Sequence, residues 1–190
     1  MADASALSGA INNLPATPLE ETFFRVIHAK YAATALSAVG SYQYGGRYNP
    51  AGKFEVLYLA ASPITALEEV EALLRSGAGL QGIKGPPRIL LSVECALQHV
   101  LRFDEVTLQP LGLTVAALTE PWRDQLRRGE VPLTHELGRA CFERGDIEAL
   151  LVPSAKNFEP CNLAVFPDRL TDGSSLRVFD DSGMIDAHLP

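Results

Sequence analysis

One arginine, four tyrosines and four carboxylates fall within the thirty residues from Tyr42 to Glu71. Gly45 and Gly46 deliver Arg47, and Asn49-Pro50-Ala51-Gly52 then turns the chain, since proline fixes φ and glycine accepts positive φ. Phe54 to Ala60 has the β-branched, aromatic and apolar content of a buried strand, and Tyr58 stands in it. Ser62-Pro63 is a helix start, with serine as the cap and proline in the first helical position. Ala66, Leu67, Val70, Leu73 and Leu74 supply its apolar stripe, and Glu68, Glu69 and Glu71 lie in its first turns. Local structure thus brings a guanidinium, a strand-borne phenol and a helix-borne carboxylate near one another, as the floor of a polar pocket.

Two further positions could serve such a pocket. Arg25 interrupts the apolar strand Glu21 to His28. It is either a surface residue on the outward face of the alternation or an inward arginine awaiting an anion. Ser154 follows Pro153 at the end of the strand Glu148 to Val152. Other chemistries find no support. The chain has no HExxH, no GxSxG and no Cys/His metal-ligand spacing, so no metal is expected. The glycine-rich stretch Ser76 to Pro87 lacks the spacing of a phosphate loop and reads as a flexible connection.

A net charge of −7 argues against a general nucleic-acid binder, because neutralising phosphates needs a basic surface, but leaves room for one local arginine site. At 190 residues the chain is expected to form one domain, residues 21–190, with a lead-in over 1–20. Cys95, Cys141 and Cys161 form no CxxC, sit in apolar runs and read as small buried hydrophobes in a reducing cytoplasm. The first twenty residues lack the basic start and apolar core of a signal peptide, and no apolar run approaches the roughly 18 residues of a membrane span.

Leu7, Ile11 and Leu14 suit a short amphipathic turn in the lead-in. Lys30 to Tyr44 has no clear period and reads as loop with a helical turn. Arg88 to Cys95 reads as a strand and His99 to Phe103 as another, shorter one. Leu113 to Arg128 is helical with a break at Glu120-Pro121, and Thr134 to Arg144 is a helix capped by Thr134 and ended by Gly145. Strands at Asn162–Phe166 and Leu176–Phe179 close the chain. Irregular alternation of strands and helices favours an α+β domain over a doubly wound parallel sheet.

The ordered set of motifs resembles the RES-domain family, named for an arginine, a glutamate and a serine. The matching pieces are Phe24-Arg25, Gly45-Gly46-Arg47-Tyr48-Asn49, Tyr58-Leu59-Ala60, the helix carrying Ala66 to Val70, Thr134 to Gly138, Val152-Pro153-Ser154-Ala155 and Asn162-Leu163. Tyr48 stands where the family often has tryptophan. Glu69, eleven residues after Tyr58, takes the place of the glutamate, with its neighbour Glu68 as the alternative. The resemblance implies an ADP-ribosyltransferase-like fold with a bent or split β core and helices outside it. It further implies a cytoplasmic toxin that cleaves the nicotinamide–ribose bond of NAD+ by hydrolysis or phosphorolysis, uses no other cofactor, and is held in check by an Xre-type antitoxin. Mono-ADP-ribosylation of a protein acceptor is the alternative enzyme, and a non-enzymatic partner-binding domain the alternative class. Neither nucleic acid nor membrane enters as a partner. On this reading Arg25 and Arg47 hold the diphosphate, Tyr58 stacks on nicotinamide or bonds the ribose, and Glu69 faces the oxocarbenium-like centre. Ser154 and Asn162 complete the NAD+ site.

Overall fold

The computed structural model describes residues 4–69, 86–153 and 160–190, with side chains from residue 6 onward and outside residues 160 and 161. A short helix α1 (Ala4–Asn12) precedes a long strand β1 (Thr17–His28). A 3-10 stretch (Ala29–Thr34) and helix α2 (Val39–Tyr44) lead to β2 (Leu57–Ala60), followed by a helix α3 over 63–69. Strand β3 (Arg88–Arg102) is followed by four helices, α4 (Glu105–Leu108), α5 (Val115–Thr119), α6 (Trp122–Arg127) and α7 (Leu133–Arg144). Strands β4 (Ala149–Pro153), β5 (Pro160–Val165), β6 (Ser175–Phe179) and β7 (His188–Leu189) complete the chain.

The strands run in the order β1-β2-β5-β4-β3-β6-β7, and β1 also pairs with β3. That extra pairing bends the sheet until β1, β2, β5, β4 and β3 close on themselves. β3 and β4 are parallel; the other pairs are antiparallel. This is the expected α+β architecture, a strongly bent β core with helices outside it.

Period-two alternation divides the buried side chains into two cores. The inner one gathers Leu19, Phe23 and Ile27 of β1 with Leu57, Leu59, Leu91, Val93, Leu151, Leu163 and Val178. The outer one lies between the other face of β2, β4 and β5 and the helices, with Val56, Leu150, Val152, Ala164 and Phe166 against Leu118, Leu137, Ala140 and Cys141. The N-terminal segment belongs to this outer core through Leu7, Ile11 and Leu14. Arg144 fastens it by donating to the carbonyls of Ile11 and Leu14, at 2.8 Å each.

Three local expectations change. β1 begins at Thr17 rather than Glu21, with Pro18 inside it. The region 88–103 is one strand rather than two. The apparent break near Gln98 is a bulge: Leu19 pairs with Leu97 but Thr17 with Val100. There the N–H groups of Gln98 and His99 both donate to one oxygen of Glu148, at 2.7 and 2.9 Å. Finally, α7 starts at Leu133 behind Pro132, and Thr134 lies buried in its first turn instead of capping it.

Candidate active site

The loop that carries Arg47 is held from every side. Gly45, with φ of 73°, ends α2 and donates its N–H to Ser41 O at 2.9 Å. Asn49 is fully buried, and its amide donates to the carbonyls of Ser41 and Phe54, at 2.8 and 3.1 Å. Its side-chain oxygen accepts the Tyr58 hydroxyl at 2.9 Å, and that hydroxyl in turn accepts the Tyr48 N–H at 2.8 Å. Burial raises the Tyr58 phenol well above its ordinary pKa, so it stays protonated and keeps donating to Asn49. The Tyr58 hydroxyl is thus occupied in shaping the turn.

Helix α7 closes the loop from the far side. His135 and Gly138 lie one turn apart and meet successive parts of the motif. His135 Nε2 lies 2.8 Å from Gly46 O, and since a carbonyl only accepts, this nitrogen carries the proton. Burial pulls the His135 pKa down, against a smaller upward effect of the bond to Gly46, and so favours the neutral ring. A side chain at Gly138 would overlap the Tyr48 carbonyl, and one at Gly46 would overlap the Tyr58 hydroxyl. Both glycines are set by close approach rather than by φ.

So positioned, Arg47 reaches across to the turn between α5 and α6. Its Nη1 donates to Leu118 O and Glu120 O, at 2.9 and 2.8 Å. Beside it opens a cleft of about 270 Å³ lined by Arg47, Pro121, Trp122, Arg123, Asp124 and Arg127. The Arg123 guanidinium lies 4.4 Å from the Trp122 ring centre. Burial lowers the Arg123 pKa, the charge of Arg47 lowers it further, and Glu69 raises it. Glu69 is therefore within electrostatic range of Arg123. Its Oε1 lies 3.5 Å from Asn162 Nδ2 at the start of β5, a long contact. None of these contacts involves Glu68.

Arg47, Tyr58, Glu69 and Asn162 are thus brought to one side of the sheet. Arg25 is not brought with them. Phe24 pairs with Ala60, and Ala60 with Asn162, so these three share a face. Arg25 lies on the opposite face with Phe23 and Ile27, and its two terminal nitrogens donate to Ala35 O and Ser37 O, at 2.8 and 3.0 Å. Burial pulls its pKa down to about 10, which leaves it charged at neutral pH. The structure does not bring Arg25 to the Arg47 side; in it Arg25 pins the segment that feeds α2 and the Arg47 loop. Ser154 lies outside the described residues.

Sequence reasoning missed Arg123. The signal was Trp122-Arg123-Asp124-Gln125-Leu126-Arg127, with two arginines at i and i+4 on one helix face. Such pairs usually mark a solvated surface. Only the bonds of Arg47 to carbonyls more than seventy residues away reveal that this helix borders the site. Among the described residues no group of three His, Cys, Asp or Glu side chains is placed to hold a metal ion. Nor is any helix among them long and apolar enough to cross a membrane.

The family model described as RES domain matches residues 22–187. A search of curated proteins returns no match. Among solved structures, the chain is similar to one titled "Crystal structure of the M.tuberculosis MbcT-MbcA toxin-antitoxin complex", with 22% identity and a TM-score of 0.71. The match covers 92% of this chain and 90% of that one.

Proposed function

The chain belongs to the RES domain family, and from that premise and its cleft we propose that it is a toxin that cleaves the nicotinamide–ribose bond of NAD+. The observation that carries this reading is a carboxylate, Glu69, in long contact with Asn162 and acting on Arg123 of an arginine-lined cleft. Breaking the bond develops positive charge at the anomeric carbon while nicotinamide leaves as a neutral ring, so no strong general acid is needed. The protein must hold the diphosphate and set a fixed negative charge beside the ribose.

Arg47 serves the first task. Its Nη1 is tied to two carbonyls, which fixes the guanidinium plane before substrate arrives. Glu69 serves the second and accepts from a ribose hydroxyl. Asn162 orients Glu69, and Ser154 contacts nicotinamide or a phosphate. Tyr58 acts mainly by shaping the Arg47 loop, because its hydroxyl is already bonded to Tyr48 and Asn49.

NAD+ products analysed by mass spectrometry, with and without phosphate and with cell lysate, identify the acceptor of ADP-ribose. Free ADP-ribose means water, the 1″-phosphate means phosphate, and a modified protein band means protein transfer. Intact NAD+ in every condition would overturn the reading. A cytoplasmic toxin of this kind requires a neutralising protein. The similar M. tuberculosis structure is titled a toxin–antitoxin complex, and we propose an Xre-type antitoxin as this chain's partner. Co-expression should restore growth of cells arrested by the chain alone.

A further inference from the structure

The cleft beside Arg47 carries more positive charge than its own residues offset. Arg47, Arg123 and Arg127 line it with a single carboxylate, Asp124, which is paired with Arg127. The net balance of the lining is two positive charges. Arg123 has no carboxylate partner among the described residues; it rests on the face of Trp122. Asp124 is spent on Arg127, and Glu69 reaches Arg123 only through its field, so Arg47 and Arg123 still repel one another, and a bound anion between them would relieve that repulsion.

We propose that Arg123 is a substrate-binding residue that clamps the diphosphate of the dinucleotide against Arg47, an inference that rests on the NAD+ reading. A diphosphate bridge carries one negative charge on each phosphate and so matches the surplus of the lining. Arg47 approaches from the loop after α2, with Nη1 held by the carbonyls of Leu118 and Glu120. Arg123 approaches from α6, its guanidinium plane set by the indole. Two guanidinium groups from separate elements address two adjacent phosphates, which a single phosphate or a bare nucleoside does not require. Glu69, whose charge is felt at Arg123, then stands on the ribose side of the clamp.

The test is equilibrium dialysis of the full chain with ADP-ribose, which keeps the diphosphate but has no nicotinamide to lose. Wild type, R123Q and R128Q are compared, with inorganic diphosphate as competitor. Arg128 is exposed, pairs with Glu130 and does not line the cleft, so it controls for lost surface charge. R123Q should weaken ADP-ribose binding tenfold or more, R128Q less than twofold, and inorganic diphosphate should displace ADP-ribose from wild type. In turnover, R123Q should lower kcat/KM for NAD+ through KM and leave that for nicotinamide riboside, which has no phosphate, unchanged. Undiminished ADP-ribose binding by R123Q overturns the role of Arg123 while leaving the NAD+ reading intact. Failure of wild type to bind ADP-ribose overturns both.

Discussion

Replacing Tyr58 by phenylalanine removes one oxygen and leaves two groups without partners. The Tyr48 N–H loses its acceptor and the Asn49 side-chain oxygen loses its donor. Both residues are almost wholly buried, Tyr48 at 1% exposure and Asn49 at 0%. A buried polar group stripped of its partner costs about 1–3 kcal/mol. Because the Tyr58 side chain is only half-buried, water entry relieves part of this, and the sum is about 2–4 kcal/mol. For a domain of this size each kcal/mol lowers Tm by roughly 2–4 °C, so the loss is about 5–15 °C. Urea unfolding followed by circular dichroism measures it, and a double-mutant cycle with Asn49→Ala should show coupling of at least about 1 kcal/mol. Turnover should fall as well, because Arg47 sits on the same turn. A variant within about 0.5 kcal/mol of wild type would refute the network. If it kept full stability yet lost turnover, the hydroxyl would belong on the substrate instead.

Three further outcomes follow from the packing. Glu148 is fully buried. Burial alone would raise its pKa, but the hydroxyls of Ser174 and Thr171 and the N–H groups of Thr171 and His99 outweigh that and bring it from 4.5 to about 2. A depressed carboxylate stabilises fully above its unfolded value, so about 3 kcal/mol is present at neutral pH and lost between pH 4.5 and 2. Glu148→Gln should flatten the stability–pH curve measured over that window. Tyr48→Phe should be neutral or stabilise by up to about 1 kcal/mol in thermal melts, because the Tyr48 hydroxyl is buried without a hydrogen-bond partner among the described residues. Gly138→Ala should cost about 3 kcal/mol in urea unfolding, since its methyl group meets the backbone carbonyl of Tyr48 and neither can rotate away.

The parts of the fold that are local in sequence were readable in advance. Gly45-Gly46, the turn after Asn49, the strand at Tyr58 and the Ser62 cap all act within a few residues; Ser62 Oγ does accept the Thr65 N–H, at 3.0 Å. What could not be read depends on distant partners. The face of Arg25 is fixed by register with β2 and β3, and nothing in the Phe23 to Ile27 alternation says which side carries the ligand. Glu148 looks like an ordinary charged residue after a helix until β3 and the Thr171 turn close around it. The length of β3 was hidden because the bulge at Gln98 and His99 breaks the period-two pattern that reveals strands. Gly138 closes the run Thr134 to Gly138, but its close contact with a backbone ninety residues earlier is not visible in that run. The choice between Glu68 and Glu69 rested on spacing from Tyr58, and in the fold it is Glu69 that lies 3.5 Å from Asn162.

The central claim is that a preorganised carboxylate at Glu69 promotes departure of nicotinamide. The direct measurement is nicotinamide release from NAD+ by wild type, Glu69→Gln and Glu68→Gln, each at matched fractional folding. Glutamine keeps the shape and removes the charge facing the developing cation. Losing one preorganised electrostatic group costs about 3–4 kcal/mol of barrier, so Glu69→Gln should release nicotinamide about a hundred- to a thousandfold more slowly, while Glu68→Gln stays within about twofold of wild type. If Glu68→Gln alone abolishes release, the other carboxylate does the chemistry; if both variants turn over like wild type, Glu69 has no part in the reaction and the account fails.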